Sequence, residues 1–187
     1  MSDYSRLRRQ QLLREAEGYL ELMVGVSDLA TLDKSVRDRL GEKALLALSR
    51  LEPSSGQRAQ THYLKGQLFR SMERYAEAIE PLKQSLEFDH ENIHVWLALG
   101  WCYKRIHRLD QAIQSLEEAL EIDPAEAIVH YNLACYWSLA RNVKLAVMYL
   151  AQAFELDPNY RDLVGVEADF DPVRNDPHFQ ALTSVIV

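Results

Sequence analysis

One spacing constrains this chain more than any other feature, because residues of the same kind return every 34 positions along much of its length. Gly66 and Gly100 are separated by this interval, and Ala134 stands where a third small residue is expected. The other columns of the repeat are Ala78, Ala112 and Ala146, then Leu82, Leu116 and Leu150, then Phe69, Tyr103 and Trp137, and finally Pro124 and Pro158, each after an Asp. A fixed period of roughly 20 to 50 residues indicates stacked copies of one structural unit.

The middle copy shows what one unit contains. Its first helix is predicted from a stripe at helical spacing, formed by Trp96, Leu99, Gly100 and Tyr103. Its second helix is predicted from a face of Ala112, Leu116 and Ala119. Because Gly100 has no side chain, the second helix can approach closely there. Asp123 then ends that helix, since a residue before proline disfavours helical backbone. Two such helices cannot bury their apolar faces alone, so the copies must stack.

This pattern resembles that of the tetratricopeptide repeat family, whose period and small-residue positions it matches. The resemblance implies an all-α fold, a right-handed superhelical solenoid of helix–turn–helix repeats with capping helices at both ends. We expect three repeats, at 59–92, 93–126 and 127–160. In the first, Pro81 lies early enough in its helix to be tolerated, although it should bend that helix.

The two ends of the chain are less regular. Residues 1–58 predict N-terminal helices that form a degenerate repeat or a cap, one from Arg6 to about Val24 and one from Asp38 to Leu51, with no clear period at 25–35 and a loop at 53–57. Residues 161–187 are similar to a closing segment that follows such arrays in some bacterial proteins. Asp171-Pro172 and Asp176-Pro177 each predict a helix start, because Asp favours the N-cap and Pro the first helical position. The closing segment is expected to cover the edge of the last repeat.

Charge and composition exclude several classes of protein. The 187 residues carry a formal net charge of -7, which argues against a nucleic-acid partner. The first 14 residues are an exception, with four arginines against Asp3; a contact of this arm with RNA or an anionic membrane is a third, weaker hypothesis. The chain shows neither a signal peptide nor an apolar run long enough for membrane insertion, so a cytoplasmic location is expected.

No catalytic, metal or cofactor site is predicted. Cys102 and Cys135 match no metal or redox spacing and are expected to be reduced, packed thiols. Cys102 and His107 lie near each other in sequence, but nothing supplies an orienting third group for a nucleophile. His62 and His130 stand in an aromatic column of the repeat, which packing explains. There is no glycine-rich loop that could hold a phosphate. The protein is therefore expected not to be an enzyme.

A second face of each first helix is not explained by the repeat core. It is defined by residues about four apart; those predicted to bind a partner are Tyr63, Gln67, Arg70, Leu97, Trp101, Lys104, Arg105, Tyr131 and Cys135. In the resembling family this face lines the concave groove where partners bind. Members that grip the C-terminal carboxylate of heat-shock chaperones use Lys and Asn there, and this chain lacks them. Trp101 is either an anchor for a partner or is covered by the N-terminal helix.

Two functional hypotheses follow. In the first, the chain is a non-enzymatic adaptor or scaffold whose concave groove binds a protein, as a peptide or a helix with an apolar anchor beside an acidic group. Aromatic side chains and Arg on the predicted face favour this reading, since they often dominate binding energy. In the second, the chain is a structural or accessory subunit that self-associates, for example as a homodimer. Its groove would then be filled by its own N-terminal helix or by a second copy.

Overall fold

The computed structural model describes residues 3–29 and 32–184. All regular secondary structure within these ranges is helical, as the repeat pattern predicted. The chain divides into two compact units, Met1–Cys102 and Tyr103–Val187. The boundary between them falls inside one helix, α5 (Ile93–Arg105).

The first unit begins with two long helices, α1 (Asp3–Leu29) and α2 (Lys34–Ser49). Of the segment 25–35, residues 25–29 continue α1 past its expected end near Val24, whereas 30 and 31 lie outside the described ranges. α2 begins before the expected Asp38, because Asp33 caps it by accepting a hydrogen bond from the backbone N–H of Ser35 at 2.8 Å.

α1, α2 and α3 (Arg58–Ser71) share one apolar core. Its buried members are Leu13, Ala16 and Met23 of α1, Ala44, Ala47 and Leu48 of α2, Leu51 after it, Leu64 and Leu68 of α3, and Met72 after it. α1 therefore buries an apolar stripe, formed by Leu13, Ala16 and Met23, against the next two helices. α1 belongs to the stack as one of its helices.

The next helix pair is α3 and α4 (Tyr75–Leu86), which follows a 3-10 helix at Ser55–Gln57 inside the predicted loop. α4 continues through Pro81. The two helices approach closely at Gly66, where a Cβ atom would lie 2.5 Å from both Cγ and Cδ2 of Leu82. Leu82 is fully buried and cannot easily move aside. The missing side chain at Gly66 is thus what allows this approach.

The second unit contains the end of α5, three further long helices and the closing segment. After the end of α5, its helices are α6 (Leu109–Ile122), α7 (Ala127–Leu139), α8 (Val143–Leu156), α9 (Tyr160–Val164), a 3-10 helix at Ala168–Phe170 and α10 (Pro177–Thr183). Asp123 and Asp157 end α6 and α8 in extended backbone, each directly before a proline. α7 packs against both α6 and α8.

The turn is the same in the pairs α3–α4, α5–α6 and α7–α8, and it recurs with the 34-residue period. Glu73, His107 and Arg141 all adopt left-handed backbone, with φ of 60°, 61° and 57°. One residue later, a backbone N–H donates back to the carbonyl of the aromatic column, in the pairs Arg74 to Phe69, Arg108 to Tyr103 and Asn142 to Trp137, each at 2.9 Å. This six-to-one hydrogen bond with a left-handed residue is the Schellman ending of a helix.

A second contact with the same period explains a histidine in an aromatic column. The indole N–H of Trp96 donates to the backbone carbonyl of His90 at 3.0 Å. One period later, Nε2 of His130 lies 2.8 Å from the carbonyl of Pro124. His130 is buried and keeps the polar contact that a Trp would make there.

The closing segment differs in one respect from expectation. Asp176 caps α10 by accepting from the N–H of His178 at 2.8 Å, with Pro177 at the first helical position, as predicted. No helix starts at Pro172, however. Asp171 instead follows the 3-10 helix, and its carboxylate accepts from Nε of Arg174 at 3.0 Å.

Substituting Gly66 tests the close approach of α3 and α4. In Gly66→Ala the added methyl must displace the buried Leu82, and such overpacking costs about 1–3 kcal/mol. Gly18→Ala in α1 is the matched control, because a Cβ there meets nothing within 4 Å. Both changes bring the same gain in helix propensity. We expect urea unfolding to show Gly66→Ala less stable than Gly18→Ala by about 1–3 kcal/mol; equal stabilities would contradict the contact.

Substituting Arg141 tests the left-handed turn. Left-handed backbone costs an L-residue about 1–2 kcal/mol, and glycine escapes this cost while losing more entropy on folding. We expect Arg141→Gly to gain about 0.5–1 kcal/mol over Arg141→Ala, which keeps the Cβ atom and serves as control. Thermal unfolding of both variants measures the difference. A glycine variant no more stable than the alanine variant would argue against the turn.

Candidate functional site

The predicted partner face lies on the first helix of each repeat, in three register positions 34 residues apart. Tyr63, Leu97 and Tyr131 share the first position; Gln67, Trp101 and Cys135 the second; Arg70, Lys104 and Ser138 the third. α3, α5 and α7 carry these residues. Their exposure differs greatly between the two units.

In the second unit the face is covered by the chain itself. Tyr131 and Cys135 are only 5% and 2% exposed, and Ser138 is fully buried. The ring of Tyr131 stacks on Tyr160 with centroids 4.7 Å apart. It also meets the edge of Phe170 at 5.7 Å. Tyr131 and Cys135 were predicted to contact a partner, but while the closing segment is in place they are not available to one.

Asp169 holds the closing segment at this face through two polar contacts. Its carboxylate forms an ion pair with Nζ of Lys104, and both side chains are largely shielded from water, at 16% and 17% exposed. Its backbone carbonyl accepts a hydrogen bond from Oγ of Ser138 at 2.7 Å. Lys104, also predicted to bind a partner, is thus engaged within the chain. Removing one member of a shielded pair leaves an uncompensated charge, so these contacts fix the segment's position.

The closing segment is held in shape by its own arginine. The guanidinium of Arg174 donates to the carbonyls of Val164 and Glu167 at 3.1 and 2.8 Å, in addition to the Asp171 carboxylate. Phe170 is fully buried and packs on Phe179 with centroids 5.3 Å apart. The segment therefore presents Asp169 and Phe170 to α7 in a fixed geometry.

The corresponding face in the first unit is more open. Trp101 is 38% exposed, and Tyr63, Arg70 and Leu97 are half-buried. Gln67 is an exception, since it is 8% exposed and offers little surface to a partner. Gln67 lies 34 residues before Trp101, and its neighbours in the sequence are the core residues Gly66 and Leu68. Arg105, on the last turn of α5, is exposed and belongs to the second unit.

The occupied set of the second unit has a counterpart one period earlier in the first. The residues 34 positions before Lys104, Tyr131 and Cys135 are Arg70, Leu97 and Trp101, respectively. Arg70 lies close enough to Cys102 on α5 for its charge to act on that thiol. The first unit thus combines a cation and two apolar side chains in the register that binds Asp169 and Phe170 in the second.

The groups considered for chemistry are poorly suited to it. Burial raises the pKa of the Cys102 thiol to about 11 and raises that of Cys135 further, so neither forms a thiolate readily. His107 is exposed on a turn. The described residues include no cluster of His, Cys, Asp and Glu that could hold a metal ion. Within the same ranges, no helix combines the length and apolarity needed to cross a membrane.

Sequence reasoning missed the residues that occupy the face, Asp169 and Phe170. Their only local signal is an acidic residue beside an aromatic one, just before Asp171-Pro172. The periodicity of the repeats carries no information about which segment returns to which helix face.

Comparison with known proteins agrees with this description of the fold. Residues 69–134 match the family model described as Tetratricopeptide repeat. No curated protein matches the sequence at a significant level.

Several solved structures are similar. YrrB, described as a TPR protein with an unusual peptide-binding site, is 22% identical with a TM-score of 0.55 over 66% of this chain and 60% of its own. This chain thus spans less than two thirds of YrrB. MamA is 16% identical with a TM-score of 0.59 over 87% of this chain and 99% of its own. A MamA double mutant is 19% identical with a TM-score of 0.60, over 86% and 98%.

Identities this low establish a shared fold and nothing more specific. The shared fold agrees with the 34-residue period, the repeated turn and the family model over residues 69–134. Residues 69–134 therefore match the tetratricopeptide repeat, and the chain has the all-α fold of the repeat proteins it resembles.

Proposed function

We propose that this protein is a non-enzymatic interaction module whose first unit binds a segment of a partner protein on the exposed face of α3 and α5. The tetratricopeptide fold supports a role in protein–protein interaction. The observation that carries the finer proposal is the occupied face of the second unit. There the same register positions already hold a protein segment, with Asp169 on Lys104 and Phe170 on Tyr131.

The side chains of the first unit set the chemistry of the partner. Arg70, in the register of Lys104, provides the cation for a carboxylate, and Arg pairs well with this group. Leu97 and Trp101, in the registers of Tyr131 and Cys135, provide apolar surface for an aromatic or aliphatic anchor. Trp is among the residues that most often dominate binding energy. The partner segment is therefore expected to carry an acidic residue next to an apolar one, as the chain's own Asp169-Phe170 does.

The other predicted contact residues have different places in this proposal. Tyr63 extends the apolar surface along α3, while Gln67 contributes little because it is buried. Lys104, Tyr131 and Cys135 serve the intramolecular contact. Arg105 lies in the second unit and is left out of the proposed first-unit face. We place the module in the cytoplasm, a proposal supported by its two free cysteines, since disulfides persist mainly in oxidising compartments.

The alternative is that a second copy of the chain fills this face, making the protein a self-associating subunit. Exposed Trp101 is compatible with either occupant. The N-terminal helix is a weaker candidate, because its apolar stripe is buried against α2 and α3. Light scattering over a range of protein concentrations separates a monomer from a homodimer. A dimer that dissociates in Trp101→Ala would favour the alternative.

A peptide in trans tests the proposed function directly. A fluorescein-labelled peptide of residues 166–173 contains the Asp-Phe pair and is titrated with the full-length protein. We expect Trp101→Ala to weaken binding by about 2 kcal/mol, or roughly 30-fold, as for an interface hot spot. Arg70→Gln should weaken it also, whereas Arg14→Gln, the same charge change on α1, should not. Fluorescence anisotropy measures the affinities, and thermal unfolding confirms that the variants are folded.

The controls define the contrary result. A peptide with Asp169→Asn and Phe170→Ala should bind more weakly than the parent peptide. If the parent peptide does not bind, or binds equally to Trp101→Ala and the wild type, the proposed face is not the binding site. A collapse of the melting temperature in Trp101→Ala with binding retained would show that Trp101 is a core residue.

A further inference from the structure

A cleft in the first unit, far in sequence from the partner face, is lined by clustered arginines. It lies where the first turns of α1 meet the end of α2 and the residues after it, and has a volume of about 220 Å³. Arg8 and Arg9 line it from α1, and Arg50, the C-cap of α2, lines it from the other side. Antiparallel packing of two helices joined by a short connection brings these ends together.

The charge of the cleft is strongly positive in a protein that is otherwise acidic. Among the described residues, Arg8, Arg9 and Arg50 form none of the ion pairs found within 4 Å. Glu52 is the one carboxylate that lines the cleft, and it is exposed. Arg9 also lines a neighbouring cleft of about 380 Å³ together with Arg6. Like charges held together concentrate a field that attracts anions.

We propose that this cleft binds a phosphate group carried by a larger molecule. The guanidinium group offers two parallel N–H donors that match phosphate oxygens, and it is the side chain most often used for this purpose. Three such groups on two sides of the cleft can surround one phosphate. The volume accommodates a phosphate or pyrophosphate, so the remainder of the ligand extends from the open side.

The competing explanation is structural. Cations near the C-terminal end of a helix are stabilising because that end carries partial negative charge. Arg8 and Arg9 lie beside the end of α2, so this effect alone would account for their position. This structural explanation predicts that removing Arg8 or Arg9 lowers the stability of the ligand-free protein. It also predicts that added phosphate leaves the stability unchanged. The two explanations are therefore distinguished by stability measured with and without the anion.

The test uses the full-length protein with inorganic pyrophosphate, at constant ionic strength adjusted with sodium chloride. Pyrophosphate should raise the melting temperature, because a ligand that binds the folded state stabilises it. Isothermal titration should show that Arg9→Gln raises the dissociation constant for pyrophosphate at least tenfold. Arg9→Lys should fall between it and the wild type, because Lys keeps the charge but lacks the paired donors. Arg14→Gln, further along α1 and outside both clefts, is the matched control and should bind normally.

Vesicles identify the source of the phosphate. Sedimentation with phosphatidylglycerol vesicles that depends on Arg9, but not with phosphatidylcholine vesicles, would assign the phosphate to a lipid headgroup. No sedimentation alongside pyrophosphate binding would assign it to a soluble ligand. The proposal is overturned if pyrophosphate leaves the wild-type melting temperature unchanged, or if Arg9→Gln and Arg14→Gln weaken binding equally. The second result would mean that net charge alone attracts the anion.

Discussion

The fold depends on a three-residue reversal that joins the two helices of the last three pairs. Its backbone hydrogen bond ends the first helix on the carbonyl of Phe69, Tyr103 or Trp137, always at the same distance. Because backbone atoms fix the turn, the left-handed residue can be Glu, His or Arg. The turn sets where the second helix begins and therefore which of its residues face the first. In that register Gly66 lies directly against Leu82.

Much of this architecture could be predicted from the sequence, because the physics of each element is local. The 34-residue period located the helix pairs, Gly66 marked the close approach of α3 and α4, and Asp123 and Asp157 before proline marked helix ends. The left-handed turn could not be predicted, since its left-handed residues are Glu73, His107 and Arg141 and not Gly or Asn, the usual signals. The length of α1 was also missed, because its last residues continue a helix without a clear apolar period.

The candidate site was less predictable, for a different reason. The register assigned Tyr131, Cys135 and Lys104 to a face suited to binding a protein segment. Whether that face is open depends on Asp169 and Phe170, which lie more than 30 residues beyond Tyr131 in the sequence. Which helix face a distant segment covers depends on many weak contact preferences summed over that segment. The acidic–aromatic chemistry expected of a partner nevertheless appears in the segment that covers the face.

The contacts of Asp169 have an evolutionary consequence for the number of repeats. The aspartate is held jointly by Lys104 at the end of α5 and Ser138 on α7, so two successive first helices must be adjacent where the chain closes. A tandem duplication upstream of α5 would leave this set intact. One inserted after α8 would carry the closing segment away from both residues. An array that closes in this way can therefore gain or lose repeats on its N-terminal side without breaking these contacts, whereas its last two repeats and the segment that covers them depend on one another.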